Sequence, residues 1–177
     1  MPSVGVSTCW SVGGSIVSAG EFIPIAEQLG LSRLIDRRTL ELSIGILKRF
    51  PKVTLSLNVS SLTCSDHEWL VTLQRLTGLR RDMTERLIIE ITETAAIQDL
   101  DQSINFVDTL KEMGCRVAID DFGAGYTSFK NLKLLNVDMV KIDGAFVKNI
   151  ADDTSDQIFI KTMIDLATTF GMETVAE

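Results

Sequence analysis

Short apolar runs alternate with longer amphipathic segments along most of the chain, and this pattern predicts strands and helices in turn. The predicted strands are rich in aliphatic residues and cover 53–58, 86–91, 116–120, 138–142 and 173–176. The predicted helices have apolar residues at three- to four-residue spacing and cover 21–29, 32–50, 66–76, 100–113, 128–135 and 154–170. Ser65 is the predicted N-cap of the third helix, and Gly171 is the predicted C-cap of the last.

This order of elements indicates a parallel α/β sheet whose strands are joined by right-handed crossovers through helices. A doubly wound open sheet and a (β/α)₈ barrel both have this order. A polar residue lies at or near the carboxyl end of each predicted strand, namely Asn58, Glu90, Asp120, Lys141 and Glu177. In a barrel such residues converge on one mouth, where barrel enzymes have their active sites. We therefore predict a TIM-type barrel.

The first 20 residues fit this alternation poorly, because they are rich in Ser and Gly with scattered apolar positions. Residues Val4 to Trp10 are predicted to form a short strand, and Gly13-Gly14 a turn.

Composition restricts the class of protein. The chain has 177 residues, 45% of them hydrophobic, which fits one domain with a sizeable core. A net charge of -7 without a basic stripe argues against a DNA- or RNA-binding protein. The three cysteines are scattered, which predicts a reduced, cytoplasmic protein. Because His67 is the only histidine, a His-rich zinc site or a Ser-His-Asp triad is not expected. The sequence contains no apolar run of membrane-spanning length and no signal-peptide pattern.

Two adjacent acids, Asp120 and Asp121, follow the short apolar run 117–119, and Gly123 and Gly125 come directly after them. A carboxylate at the end of a buried strand loses much of its hydration unless a cation or hydrogen-bond donors compensate. The sequence therefore predicts a metal-binding or catalytic site here.

The candidate metal ligands are all oxygen donors: Asn58, Glu90, Asp120, Asp121 and Glu177. Such ligands favour Mg²⁺ or Mn²⁺ over zinc. Lys141 is a cation among these acids that neutralises them, orients a water or attracts an anionic substrate, and Asp143 lies two positions further along the same strand face. Carboxylates with a lysine suit two-metal hydrolysis of a phosphodiester.

Other interpretations remain open for these residues. Asn58 fits a turn or a helix cap, and Lys141 fits a structural ion pair. Glu93 is a better candidate for stabilising a loop than for binding a metal. A lysine with acids and Mg²⁺ at barrel strand ends also describes enolase-type proton abstraction.

Six segments together resemble the EAL family of cyclic-di-GMP phosphodiesterases. They are FIPIAE (22–27), LNVS (57–60), IEITET (89–94), IDDFGAGYTSF (119–129), KIDGAFV (141–147) and the closing TVAE (174–177). The resemblance implies a modified TIM barrel that hydrolyses cyclic-di-GMP to pGpG with two Mg²⁺ or Mn²⁺ ions.

The resemblance also implies roles for single residues. Asn58, Glu90, Asp120, Asp121 and Glu177 match family metal ligands, and Lys141 matches the lysine that positions the attacking water.

Glu93 matches the glutamate that holds the loop after the acid pair. That loop is 122–130 here and includes Phe122, Gly123, Gly125 and Tyr126. In the family it links metal binding to dimerisation, so a homodimer through this region is expected.

Both ends depart from the family pattern. The Glu-Ala-Leu signature should fall near Gly5-Val6-Ser7 and is absent, together with one metal ligand and the strand before it. The sequence also stops within the family's Ala-Glu-Gly-Val-Glu motif. We therefore expect a partial EAL domain over 20–177 after a poorly matching stretch 1–19, with sensory or GGDEF modules in a longer parent protein. Two functions stay open: an active phosphodiesterase, or an inactive, degenerate EAL domain that binds cyclic-di-GMP or a protein partner.

Overall fold

The computed structural model describes residues 3–5, 10–12, 15–78, 80–125 and 128–176. Its strands are β1 (Ser3–Gly5), β2 (Trp10–Val12), β3 (Ser15–Val17), β4 (Thr54–Val59), β5 (Leu87–Thr92), β6 (Arg116–Phe122), β7 (Met139–Ile142) and β8 (Glu173–Ala176). The long helices are α1 (Ala19–Gln28), α2 (Ser32–Arg49), α4 (His67–Thr77), α7 (Leu100–Glu112) and α10 (Thr154–Thr169). Shorter helices are α3 (Ser61–Cys64), α5 (Arg81–Thr84), α6 (Glu93–Gln98), α8 (Phe129–Leu135) and α9 (Gly144–Val147).

Six strands form one parallel sheet in the order β1-β4-β5-β6-β7-β8, and β2 pairs with β3 in an antiparallel hairpin. The order of the six strands follows the chain without reversal. Because every right-handed crossover then leads to the same side, the connecting helices lie on one face of the sheet, as in a barrel. A doubly wound sheet needs a reversal of strand order, which this sheet does not have. The prediction of a parallel α/β fold with TIM-type winding is confirmed.

The N-terminal edge of the sheet has a short strand although the family's first strand was expected to be lacking; it overlaps the predicted strand Val4 to Trp10, of which residues 6–9 lie outside the described part of the chain. Ser3–Gly5 pairs in parallel with Thr54–Ser56. The outer edge of β4 presents backbone N–H and C=O groups, and a short strand satisfies part of them. The predicted turn at Gly13-Gly14 lies outside the described residues, between the two strands of the hairpin.

The two faces of the sheet have different packing. Odd-numbered aliphatic residues such as Leu57, Ile89 and Val117 belong to the large core between the sheet and the helices. The opposite face has a small buried cluster of Ile88, Ala118 and Met139. Because side chains alternate along a strand, Glu90 lies on the same face as Ile88, one pleat nearer the carboxyl end.

Helix α4 corrects one predicted cap. Its N-cap is Asp66, whose side chain accepts a hydrogen bond from the backbone N–H of Glu68, and not Ser65. The hydroxyl of Ser65 instead donates to the carbonyl of Leu62, at the end of the short helix α3. That helix was not predicted, because four residues are too few to show helical spacing.

Arg86 ties the end of α2 to the start of β5. Its guanidinium donates hydrogen bonds of 2.8–3.1 Å to the backbone carbonyls of Leu47, Phe50, Val53 and Asp82. Cations are favourable at a helix C-terminus, where carbonyls lack partners within the helix. Of the helices that the structure describes, none has the length and hydropathy needed to cross a bilayer.

Candidate functional site

Four of the predicted site residues meet at the carboxyl ends of β4 to β7. Parallel pairing places Asn58 directly opposite Glu90, and Asp120 opposite Thr92. Glu90 and Thr92 share a face of β5, so Asp120 lies one pleat beyond Glu90 on that same face. The amide Nδ2 of Asn58 donates to Glu90 Oε2 at 3.2 Å.

Lys141 joins the two acids from β7. Its Nζ donates to Glu90 Oε2 at 3.1 Å and to Asp120 Oδ1 at 2.7 Å. The side chains of Lys141, Glu90 and Asp120 are only 14%, 6% and 11% exposed. An ammonium in contact with both carboxylates offsets much of the cost of burying them. The cluster still carries one more negative than positive charge.

Asp121 interrupts the regular geometry of β6. Its φ is +54°, and the pairing of β6 with β7 shifts register between Ile119 and Phe122. Regular alternation would turn an acid at this position toward the helix-covered core. The irregularity instead leaves the Asp121 side chain exposed, while its backbone N–H donates to Asp120 Oδ1 at 3.2 Å. Phe122 returns to the core and is 5% exposed.

Glu93 contacts the loop that follows β6. It is 3% exposed at the first position of α6, and its Oε2 accepts from Gly123 N at 2.8 Å and from Gly125 N at 3.3 Å. Gly123 has a φ of +103°, and a Cβ added to Gly125 would come within 2.8 Å of Glu93 Oε1. The backbone conformation of Gly123 therefore favours glycine, and the Glu93 carboxylate leaves no room for a Cβ at Gly125.

Of the remaining predicted residues, the structure describes Asp143, which does not join the cluster. Asp143 lies beyond the end of β7, where its Oδ1 accepts from Ala145 N at 2.7 Å and caps α9. Tyr126 and Glu177 lie outside the described residues.

The donor chemistry of the cluster fits a divalent cation. Glu90 and Asp120 supply carboxylate oxygens, and Asn58 supplies an amide oxygen. The ammonium of Lys141 shows that a positive charge is accommodated between the two acids. Hard oxygen donors suit Mg²⁺ or Mn²⁺, which keep several waters among their ligands. Within the described part of the chain, no three or more His, Cys, Asp and Glu side chains form a metal-binding group by themselves.

A cavity of about 410 Å³ adjoins the cluster at Asn58. Its wall comes from α1, α2, α6 and the ends of β4 and β5, and includes Ile23, Glu27, Ser32, Thr94 and Gln98. Ser32 is 6% exposed, and its hydroxyl has no hydrogen-bond partner in the described structure. These residues were not predicted as site residues, although two of them lie in the FIPIAE segment. The sequence signal for this cavity was the resemblance of the FIPIAE segment to the family, but no residue of the segment suggested a chemical role.

The two cysteines whose side chains the structure describes, Cys64 and Cys115, do not belong to the cluster. Burial raises the pKa of Cys64 to about 11 and the pKa of Cys115 to about 12. A thiol is a poor nucleophile and metal ligand until it loses its proton.

Comparison with known proteins gives one family over nearly the whole chain. Residues 7–177 match the model of the EAL domain. The cyclic di-GMP phosphodiesterase PdeF of Escherichia coli (strain K12) is 32% identical over 166 residues, covering 92% of this chain and 22% of that protein. The bifunctional diguanylate cyclase/cyclic di-GMP phosphodiesterase MucR of Pseudomonas aeruginosa is 31% identical over 168 residues, covering 92% of this chain and 24% of that protein. The chain therefore spans less than a quarter of these relatives.

Solved structures agree with the fold. The PaMucR phosphodiesterase in complex with c-di-GMP superposes with a TM-score of 0.90 at 27% identity, covering 98% of this chain and 76% of that one. The FimX EAL domain from Pseudomonas aeruginosa bound to c-di-GMP gives a TM-score of 0.84 at 29% identity, covering 92% and 66%.

Proposed function

The chain belongs to the EAL domain family, and we propose that it is the hydrolytic part of a cyclic di-GMP phosphodiesterase in bacterial second-messenger signalling. The product would be the linear dinucleotide pGpG. The observation that supports this most strongly is the cluster of Asn58, Glu90, Asp120 and Lys141 at the sheet's carboxyl edge. Relatives that are about a third identical to this chain over the matched region are named as enzymes for this substrate.

EAL phosphodiesterases are generally metal-dependent. We propose that Asn58, Glu90 and Asp120, joined by Asp121 and Glu177, hold Mg²⁺ or Mn²⁺. A bound divalent cation supplies an activated water and stabilises negative charge on the phosphate oxygens.

The chain's own residues orient the reaction. The ammonium of Lys141 donates to Glu90 and Asp120, and in the proposed reaction it would also donate to the attacking water or to a phosphate oxygen. Glu93 holds Gly123 and Gly125, and with them the loop that leaves Asp121. The adjoining cavity has the size and mixed lining of a small-ligand pocket.

We propose two kinds of partner. The loop 122–130 is the expected contact of a homodimer by resemblance to the family, and its described residues Ala124, Ser128 and Lys130 are exposed. Sensory or GGDEF modules in the same polypeptide are expected from the relatives, which are four to five times longer than their matched region and in one case also named a diguanylate cyclase.

A second function is favoured by one sequence observation. The Glu-Ala-Leu signature is absent near Gly5-Val6-Ser7, and a domain without this acid would bind cyclic di-GMP or a protein partner without hydrolysing it.

Chromatography of the reaction products separates the two. The purified chain with Mn²⁺ should convert cyclic di-GMP to pGpG, and Glu90→Gln should abolish the conversion. If the chain is only a receptor, calorimetry with Ca²⁺ should show that the unmodified chain and Glu90→Gln both bind cyclic di-GMP. Intact cyclic di-GMP after hours with Mn²⁺, together with measurable binding, would establish the receptor. Absence of both would refute both proposals.

A further inference from the structure

Another buried acid, Asp36, lies in α2 outside the cluster described above. It is 8% exposed, and a single oxygen, Oδ2, accepts three hydrogen bonds. The donors are Ser60 N at 2.9 Å, Ser60 Oγ at 2.7 Å and Thr63 Oγ1 at 2.6 Å. Its backbone carbonyl accepts from the indole of Trp69 at 3.3 Å, which fixes α2 at the same point. Three short hydrogen bonds on one carboxylate oxygen hold α2 against the segment 60–63.

The residues that Asp36 holds come directly after Asn58. Ser60 is the N-cap of α3, yet its side chain makes no capping hydrogen bond and donates to Asp36 instead. Asp36 therefore fixes both the backbone and the side chain of the residue at which β4 turns into α3. Between Asn58 and Ser60 lies only Val59, which is 6% exposed and packed in the core.

The direction of the Asn58 side chain depends on this turn more than the directions of Glu90 and Asp120 depend on the turns after their strands. Its side chain is exposed, so it has little packing to fix its direction, whereas Glu90 and Asp120 are buried. The direction of the amide then follows from the backbone of β4 and from the 3.2 Å bond to Glu90.

We propose that Asp36 is a positioning residue for Asn58: by holding Ser60 and Thr63 it directs the Asn58 amide toward Glu90. The consequence for cation binding rests on the proposed function, in which Asn58 is a metal ligand. Partners that orient a ligand typically change metal affinity by about 10–100-fold when they are removed.

The neighbouring residue in the sequence supplies a matched control. Arg37 Nη2 contacts both oxygens of Asp66 at 3.0 and 2.9 Å, and Asp66 is 6% exposed at the N-cap of α4. Asp66→Ala therefore also removes a buried acid that contacts α2. Asp66 lies after α3, further along the chain from Asn58 than Ser60 does. It should lower stability without moving the Asn58 amide.

The first measurement needs no metal. In a ¹H–¹⁵N correlation spectrum, the side-chain amide signals of Asn58 are identified by their loss in Asn58→Asp. We expect Asp36→Ala to shift them toward the position of a free amide, and Asp66→Ala to leave them unchanged. If Asp36→Ala does not fold, Ser60→Ala removes one donor without leaving a buried group unpaired and should produce a smaller shift in the same direction.

The second measurement is the Mn²⁺ dissociation constant, from calorimetry. It should rise about 10–100-fold in Asp36→Ala and stay within about twofold in Asp66→Ala. Unchanged Asn58 signals in Asp36→Ala, or in Ser60→Ala if that variant is the one that folds, would overturn the proposal. So would equal effects of Asp36→Ala and Asp66→Ala. If the unmodified chain binds no Mn²⁺, the proposed metal centre fails, while the amide signals still decide the role of Asp36.

Discussion

Replacing Lys141 with methionine removes the cation between two buried acids while keeping a side chain of similar length. In the folded protein, Lys141 Nζ lies 3.1 Å from Glu90 Oε2 and 2.7 Å from Asp120 Oδ1. All three side chains are at most 14% exposed, so water cannot replace the lost ammonium fully. Removing one partner of a buried ion pair typically costs about 3–5 kcal/mol. We expect Lys141→Met to lower the free energy of unfolding by this amount.

Urea unfolding followed by far-UV circular dichroism measures the effect. The slope of the unfolding free energy against urea concentration should be the same in both proteins. A shift of the midpoint then reports a change in stability and not a change of the unfolded state. Arg116→Met is the matched control, because Arg116 and Glu173 are also 2.7 Å apart but are 35% and 66% exposed. An exposed pair contributes about 0–1 kcal/mol, so this variant should be nearly as stable as the unmodified chain.

A second substitution tests the electrostatic reason. Adding Glu90→Gln to Lys141→Met removes one of the uncompensated charges, so the double variant should be more stable than Lys141→Met alone. A loss of stability in Lys141→Met no larger than that in Arg116→Met would contradict a buried ion pair at Lys141. A double variant less stable than Lys141→Met would contradict it as well.

Three further changes have definite expected outcomes. Arg86→Met should lower the free energy of unfolding by about 2–4 kcal/mol, since four backbone carbonyls lose a charged donor. Arg86→Lys should restore only part of this stability. If both variants are as stable as the unmodified chain, Arg86 does not stabilise the junction of α2 and β5. Glu93→Gln should speed hydrogen exchange of the two loop glycine amides about tenfold, because neutral acceptors replace charged ones; NMR measures this, and unchanged exchange would contradict it. With Cys9 replaced by serine, the native chain should not react with Ellman's reagent near pH 8. There the thiolate fraction of Cys64, whose pKa is about 11, is roughly one in a thousand, and Cys115, with a pKa of about 12, has still less. Reactivity should rise with pH as the thiols lose their protons, and both should react in concentrated guanidinium chloride; rapid native reaction near pH 8 would contradict the burial of the thiols.

Local sequence determined the elements and the ends of the strands. Residues 54–59 and 87–92 form strands where aliphatic runs predicted them, and residues 100–112 form a helix that ends before Gly114. Such patterns are reliable because an element several residues long must show one face to the core. The short helices 61–64 and 144–147 have no such face pattern, and the assignment of Ser65 as a cap was wrong because the adjacent Asp66 is equally suited to a cap by sequence.

Tertiary structure decided which of the polar residues meet. The sequence places Glu90 and Lys141 51 positions apart, and only the strand order and the register bring the ammonium between Glu90 and Asp120. Likewise, nothing local links Asp36 to Ser60, 24 positions later, although this contact sets the turn beside Asn58. A repeating pattern shows which way a side chain faces within its own element. The partner it reaches depends on how distant elements pack, and that packing is fixed by the whole core and not by any one segment.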